Sequence, residues 1–310
     1  MTSLVLFAYR FKNLPSNKKI VSLSKESFIS INNIFFGTLI FSTMLGVLYP
    51  LIYEFIYDQK ISVGAPFYNA IFVPITLIAC IFLYFSIDSK WQQSFNFKSL
   101  YQPLFLSITA SLIIVALAFY KFLIVNFWTL ASLLIGSIII IRYLIVIYFY
   151  FVYRKFANFF SIIAHCGLGL LIISIALNDN LSSERALNIK INETEVYKDY
   201  QINFKNLRVV PGPNFDSVKA DFVITNPNGK VFTLTPEKRK YFARGQVTTE
   251  TAIHASALKD IYITIGDQLD DGSWIVNIQF NVFIRWIWFS AIMMVLAGLL
   301  LTHSLSRSRS

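Results

Sequence analysis

Six long apolar segments constrain this chain more than any other feature, because each is long enough to cross a lipid bilayer. A spanning helix needs about 20 mostly apolar residues, since the hydrocarbon core is ~30 Å thick and each helical residue rises about 1.5 Å. Five segments meet this requirement cleanly, at residues 31–52, 67–87, 103–120, 159–177 and 282–301. The remaining segment, 125–153, is interrupted by Arg142. It predicts either one helix that ends near Arg142 and an interfacial stretch, or one long tilted helix.

The composition agrees with a membrane protein and excludes several soluble classes. Hydrophobic residues make up 55% of the chain and charged residues only 14%, against roughly 25% charged residues in ordinary soluble domains. This balance excludes a soluble enzyme, a disordered regulator and a secreted disulfide scaffold. The two cysteines, Cys80 and Cys166, lie inside apolar segments without a CxxC or zinc-type spacing, so neither a disulfide framework nor a structural metal site is predicted.

The positions of the positive charges predict an orientation in the membrane. Residues 179–281 hold 12 basic and 13 acidic residues, so the net charge of +10 comes from the rest of the chain. On one side of the spans lie Arg10, Lys12, Lys18, Lys19, Lys25, Lys90, Lys98, Arg154, Lys155, Arg307 and Arg309, and on the other only Lys60 and Lys121. Because Lys and Arg accumulate in cytoplasmic loops, we expect both termini in the cytoplasm, or in the matrix of an organelle. The expected contact is membrane lipid, and nucleic acid is not an expected partner.

The large polar segment between the fifth and sixth spans, residues 179–281, is therefore expected to face outward. Apolar residues alternate with polar ones in short runs, for example at Ile261, Ile263 and Ile265. Turn signals such as Pro-Gly-Pro-Asn and Asn-Pro-Asn-Gly separate the runs. The sequence predicts a polytopic α-helical membrane protein with one small antiparallel β domain, a barrel or a sandwich, inserted between the last two helices. The expected divisions are a cytoplasmic segment 1–30, five helices in 31–178, an outward β domain 179–281, a sixth helix 282–303 and a cytoplasmic tail 304–310.

His165 is the residue that most suggests chemistry. It lies in the fifth span, about six residues or roughly 9 Å from the predicted cytoplasmic end. A polar side chain at that depth costs a few kcal/mol unless it is paired, and an imidazole there suits haem iron, another metal or a proton relay. Gly167 and Gly169 remove side chains nearby, which would let a flat ring or a neighbouring helix approach. From the residues alone, an axial ligand, a relay and packing against another helix all remain open.

The other candidate residues have simpler interpretations. His254 and His303 are interpreted as solvated surface residues. The Arg-Trp-Ile-Trp string that opens the sixth span contains Trp286 and Trp288, and it is typical of an interfacial anchor or of a platform for a planar ligand. Arg142 is interpreted as snorkelling or ending its helix, or as a partner for a propionate inside the bundle.

Several short strings occur in a fixed order nearly from end to end of the chain. They are Tyr49-Pro50, Ile61-Ser62-Val63-Gly64-Ala65-Pro66-Phe67-Tyr68-Asn69, Ala164-His165, Gly212-Pro213-Asn214-Phe215, Pro236-Glu237-Lys238-Arg239, Thr249-Glu250, Asp260-Ile261-Tyr262, Asp271-Gly272-Ser273-Trp274 and Arg285-Trp286-Ile287-Trp288. Together they resemble the C-terminal half of CcmF, the haem-lyase component of System I cytochrome c maturation.

The resemblance implies haem handling at the outer membrane face. Proteins of this family receive haem from a haem chaperone, deliver it to apocytochrome c, and hold a b-type haem within the membrane. By this resemblance His165 aligns with one of two transmembrane His ligands, so it is the expected axial ligand of haem b iron. The implied partners are an N-terminal CcmF half, the haem chaperone, thiol-handling subunits and apocytochrome c. The implied location is the bacterial inner membrane with a periplasmic β domain, or the mitochondrial inner membrane.

The departures from the family pattern matter as well. The sequence has no Trp-Trp pair, no second intramembrane His, and Asn281-Val282-Phe283 where the family often carries Lys-Pro. We therefore expect one half of a split haem lyase, or a fragment, that is not active alone and takes its second ligand from a partner chain. The alternatives are a transporter or permease for haem or another substrate, which predicts broken helices or repeated halves, and a non-catalytic assembly scaffold.

Overall fold

The structure is a computed structural model, and it describes residues 2–11, 20–153, 159–243 and 245–307. Within these ranges the helices are α1 (Thr2–Phe11), α2 (Lys25–Tyr57), α3 (Ala65–Ser86), α4 (Tyr101–Phe122), α5 (Phe127–Tyr153), α6 (Phe159–Leu181) and α7 (Ile284–Arg307). Six of them, α2 to α7, are long and apolar enough to cross a membrane, which confirms the predicted number. Several residues behind the predicted charge asymmetry lie outside the described ranges: Lys12, Lys18, Lys19, Arg154, Lys155 and Arg309.

Polar caps set the ends of the helices. The Ser24 hydroxyl accepts a hydrogen bond from the Ser27 N–H at the start of α2, and Asp58 ends that helix in the left-handed conformation, at φ 52°. At the start of α5, the Asn126 side chain accepts hydrogen bonds from the N–H groups of Trp128 and Thr129. The α5 helix then runs through Arg142 to Tyr153 without interruption. Of the two predictions for this segment, the single long helix agrees with the structure.

Helix α5 is central to the bundle, since it packs against α3, α4 and α6, and α6 joins it to α7. Helix α6 packs against both α5 and α7, and α3 packs on α2 as well as on α5. Close approach of α5 and α6 depends on Gly136 and Gly169: a Cβ at Gly169 would lie 2.8 Å from the Gly136 carbonyl oxygen. Small residues at a membrane helix interface allow such contact between backbones.

The predicted β domain is an antiparallel sandwich. Its strands are β1 (Ser183–Ile189), β2 (Thr194–Tyr197), β3 (Tyr200–Pro211), β4 (Phe215–Thr225), β5 (Val231–Leu234), β6 (Glu237–Tyr241), β7 (Val247–Glu250), β8 (Ala252–His254), β9 (Lys259–Gln268) and β10 (Trp274–Val282). One sheet has the order β1-β10-β9-β8, and the other has β2-β3-β4-β6-β7, with β5 paired to β4. Alternate residues of both sheets fill the core, where the Phe204 and Phe222 rings stack at 4.6 Å.

The sandwich is tied to the membrane helices at both of its ends. Strand β1 follows α6 after one residue, β10 leads into α7, and the two strands pair with each other. The Asn178 side chain at the end of α6 donates to the Val282 carbonyl oxygen at 2.7 Å. The Ser182 hydroxyl accepts from the Val282 N–H at 3.0 Å. The β domain therefore lies at one end of the bundle, between the last two helices, as predicted.

Candidate functional site

A cavity of about 520 Å³ opens among α2, α3, α5 and α6. It lies toward the end of the bundle where α2 and α6 begin and α3 ends, which we call the Lys25 end. Its polar lining includes Lys25, Asn32, Asp88, Ser161 and His165, and the rest of the wall is mostly apolar. We call it the His165 cavity.

The hydrogen bonding of His165 defines its tautomer. Nδ1 of the imidazole lies 2.6 Å from the Ser161 carbonyl oxygen, one helical turn earlier, and 3.2 Å from the Ser161 hydroxyl. Because a carbonyl oxygen only accepts hydrogen bonds, Nδ1 is the donor in this contact. Nε2 of the neutral ring then carries the lone pair, and among the described residues it has no hydrogen-bond partner. An imidazole whose second nitrogen is fixed by a backbone carbonyl is the form that binds metals.

Tyr143 fixes the plane of the same imidazole. The two rings are stacked, with centroids 5.0 Å apart and an interplanar angle of 12°. Tyr143 is buried on α5, so its ring is itself held in place. The combined contacts from Ser161 and Tyr143 leave His165 little rotational freedom.

The two glycines near His165 serve helix packing. A Cβ at Gly167 would lie 2.9 Å from Met294 and 3.1 Å from the Ser290 carbonyl oxygen, both on α7. The corresponding space at Gly169 is filled by α5. Of the two alternatives given for these glycines, a flat ring or a neighbouring helix, the structure has a neighbouring helix beside each.

Arg142 forms a buried ion pair beside the cavity. Its Nη2 lies 2.7 and 2.6 Å from the two carboxylate oxygens of Asp88, and the side chains are 6% and 30% exposed. Helix termination is therefore wrong as an interpretation of Arg142, since the chain continues as helix to Tyr153. The guanidinium reaches the turn that follows α3, where it pairs with Asp88. Asp88 lines the cavity, whereas the Arg142 guanidinium that neutralises its charge is not part of the lining.

Trp286 and Trp288 lie at the start of α7, next to the β domain and at the opposite end of the bundle from the Lys25 end. Trp286 donates from Nε1 to the Ala257 carbonyl oxygen at 2.9 Å, and Arg285 pairs with the buried Asp260 at 3.2 Å. Trp288 is 69% exposed. These contacts support an anchor between the β domain and the membrane. They do not bring Trp286 or Trp288 together with His165.

Of the two remaining histidines, the structure describes the side chain of one. His254, expected to be solvated, stacks on Phe232 with centroids 3.8 Å apart and is half-buried. The side chain of His303 lies outside the described part of the structure.

Sequence reasoning missed three members of the site, namely Asp88, Tyr143 and Lys25. A signal for Asp88 was present, because it is the only acidic residue between Asp58 and Asp179 and Arg142 interrupts an apolar segment in that interval. A buried cation needs a partner, so pairing the two was within reach of the sequence. Tyr143 and Lys25 gave no comparable signal.

Comparisons with known proteins agree with this architecture. Residues 180–282 match the family described as CcmF C-terminal beta-sandwich. The chain is 29% identical over 311 residues to the cytochrome c-type biogenesis protein CcmF of Haemophilus influenzae, covering 96% of this chain and 48% of that protein. For CcmF of Escherichia coli the identity is 28% over 301 residues, covering 96% of this chain and 46% of that protein. The chain thus spans about half the length of the curated relatives it matches.

A solved structure shares the fold. It is described as cytochrome c heme lyase CcmF, and it superposes with a TM-score of 0.71 at 14% sequence identity, covering 90% of this chain and 46% of that one. The six apolar helices, together with the bacterial relatives, support an inner-membrane protein.

Proposed function

Since the chain matches the C-terminal half of CcmF-type cytochrome c biogenesis proteins, we propose that it is one part of a haem lyase and binds a membrane haem b through His165. The observation that carries the proposal is the state of this imidazole. Its Nδ1 is committed to the Ser161 carbonyl oxygen, its Nε2 has no protein partner among the described residues, and it lines a cavity of about 520 Å³. This donor fits haem iron, which takes imidazole nitrogen as an axial ligand.

Each residue of the site has a defined task in this proposal. A bound haem supplies an iron that changes oxidation state within the membrane. His165 binds that iron, Ser161 holds the tautomer, and Tyr143 holds the ring plane. The apolar part of the cavity wall, which includes Phe28 and Leu83, would contact the macrocycle.

The second axial ligand would come from another polypeptide. His165 is the only histidine of this chain within the described spans away from their ends, and the chain spans about half the length of its relatives. We propose an N-terminal CcmF half as that partner, and a haem chaperone, thiol-handling subunits and apocytochrome c as further partners. The β sandwich would be their docking surface. Full cytochrome c assembly by a chain lacking residues 183–281 would contradict this docking role.

An absorption spectrum tests the haem assignment most directly. The chain is purified in detergent alone and together with the N-terminal half, as wild type and as His165→Ala. We expect a reduced b-type spectrum from the pair that His165→Ala abolishes, and the matched control His254→Ala, in the β domain, should retain it. Haem that is indifferent to His165, or absent from every combination, would leave an assembly scaffold as the better interpretation.

The proposed orientation places both termini in the cytoplasm and the β domain in the periplasm. Asn228 lies in an exposed turn of the sandwich and Lys98 in an exposed turn before α4. In a chain whose two native cysteines are replaced by alanine, we expect a membrane-impermeant maleimide added to intact cells to label Asn228→Cys and not Lys98→Cys. The reverse pattern would overturn the orientation.

A further inference from the structure

One face of α2 lines the His165 cavity. The residues are Lys25, Phe28, Ile29 and Asn32, whose spacing of three, four and seven residues defines a single helical stripe. Phe28 packs against Phe82 of α3, with ring centroids 6.4 Å apart, and the stripe as a whole borders the cavity. Its two polar members are half-buried, so both are positioned to meet a ligand in the cavity.

The charges of the cavity leave one cation without a counter-ion. Lys25 is the only Lys or Arg among the described residues that line it, and no ion pair of Lys25 occurs in the described part of the chain. Its ammonium lies 5.6 Å from the Trp91 ring centroid. The lining carboxylate, Asp88, is already paired with Arg142. The cavity therefore carries one uncompensated positive charge.

The neighbouring acid does not change this balance. Glu26 follows Lys25 in the chain but is not part of the cavity lining. Its carboxylate oxygens accept the Gln92 N–H at 3.0 and 3.1 Å. That contact engages the acid with the loop that follows α3, and no ion pair joins Glu26 to Lys25 among the described residues.

From these contacts we infer that Lys25 binds a carboxylate of the cavity's ligand, and that this carboxylate is a propionate of the haem bound by His165. The inference rests on the proposed function. Haem is an apolar macrocycle with two carboxylates on one edge, and the cavity has the same polarity. Most of its lining residues are apolar, and the imidazole lies within the span. The Lys25 ammonium, which has no counter-ion among the described residues, lies at the Lys25 end, where the helices meet polar loops.

A comparison of haem with its dimethyl ester tests the assignment, because the ester has the same macrocycle without the carboxylates. Purified full chain in detergent is titrated with each, monitored by the Soret band, with imidazole in solution to supply the sixth ligand. We expect the wild type to bind haem about tenfold more tightly than the ester, as a charge-assisted contact predicts. Lys25→Met should abolish this preference, and Lys25→Arg should keep most of it.

The remaining variants separate the inference about Lys25 from the proposed function of His165. Lys98→Met removes a cation at the same end of the bundle but outside the cavity lining, and it should leave the preference for haem over the ester unchanged. His165→Ala should weaken both complexes together. If Lys25→Met retains the full preference while His165→Ala still abolishes binding, Lys25 is not the carboxylate residue and the proposed function stands. If His165→Ala binds both compounds as the wild type does, the proposed function fails and the inference fails with it.

Discussion

The Tyr143 ring lies parallel to the His165 imidazole, with 5.0 Å between the ring centroids. Aromatic contacts of this kind are worth about 0.5–1.5 kcal/mol beyond the area they bury. We expect Tyr143→Leu to weaken haem binding about fivefold and broaden the Soret band, because the imidazole loses the surface that fixes its plane. Tyr143→Phe should retain wild-type affinity. Tyr148→Leu, at an exposed position of α5, is the matched control, and an equal loss there would show that the effect is not specific to the stacked pair.

The Asp88–Arg142 pair predicts a strong and asymmetric effect on stability. Removing one partner of a buried pair leaves an uncompensated charge, which costs about 3–5 kcal/mol when burial is complete. Since Asp88 is 30% exposed, we expect Asp88→Asn to lower the free energy of unfolding by about 2 kcal/mol, measured by thermal unfolding in detergent. Adding Arg142→Met should recover at least half of that loss. In contrast, Glu54→Gln breaks an exposed pair with Lys60 and should change the free energy of unfolding very little.

Gly169 and Gly298 provide a matched pair of glycines within helices. A Cβ at Gly169 would meet the Gly136 carbonyl oxygen at 2.8 Å, whereas at Gly298 nothing lies within 4 Å. We expect Gly169→Ala to destabilise the chain by about 2 kcal/mol, since α5 and α6 must separate. Gly298→Ala should stabilise it slightly, because alanine favours helix. Equal unfolding temperatures for the two variants would contradict the close contact of α5 and α6.

The β sandwich should lose stability in acid. Burial raises the pKa of the Glu237 carboxyl, but hydrogen bonds from Ser217 and Arg239 outweigh it and hold that pKa below its usual range. The hydrogen bond from Arg208 lowers the pKa of Asp221 in the same way. Both carboxylates therefore stabilise the fold above the pKa of the unfolded chain, about 4, and that contribution disappears as the pH falls through the lower folded-state value.

Hydrogen–deuterium exchange of the full chain measures this effect. After correction for intrinsic exchange rates, protection of β4 and β6 should fall between about pH 5 and pH 3. Glu237→Gln should make protection of β6 less dependent on pH. Protection that is constant over this interval in the wild type would rule out a stabilising role for the two carboxylates.

Much of the architecture could be predicted because its signals are local. The six spans follow from apolar runs of sufficient length. Alternation and turn residues along 179–281 predict a small antiparallel β domain but do not distinguish a barrel from a sandwich. Local periodicity left open whether the helix continues past Arg142, and the carboxylate that pairs with the guanidinium, Asp88, lies 54 residues away in the chain. Local periodicity carries no information about such a contact.

The candidate site was predictable only in its central residue. An imidazole within an apolar span is visible in the sequence, so His165 could be singled out. The residues around His165 could not be singled out in this way. Tyr143 resembles any aromatic residue in a membrane helix, and Lys25 resembles any interfacial cation. The two glycines were visible but ambiguous: only the packed structure shows that α5 and α7 fill the space beside them.

Helix α6 carries His165 near one end and continues into strand β1 at the other, about 24 Å further along the helix axis. The hydrogen bonds of Asn178 and Ser182 to Val282 hold the C-terminal end of α6 next to the start of α7. Helix α6 thus connects the β domain directly to the segment that carries His165. A protein that docks on the sandwich and tilts it would move the helix that carries His165, so docking on the β domain would have a mechanical route to the proposed haem ligand within the bundle.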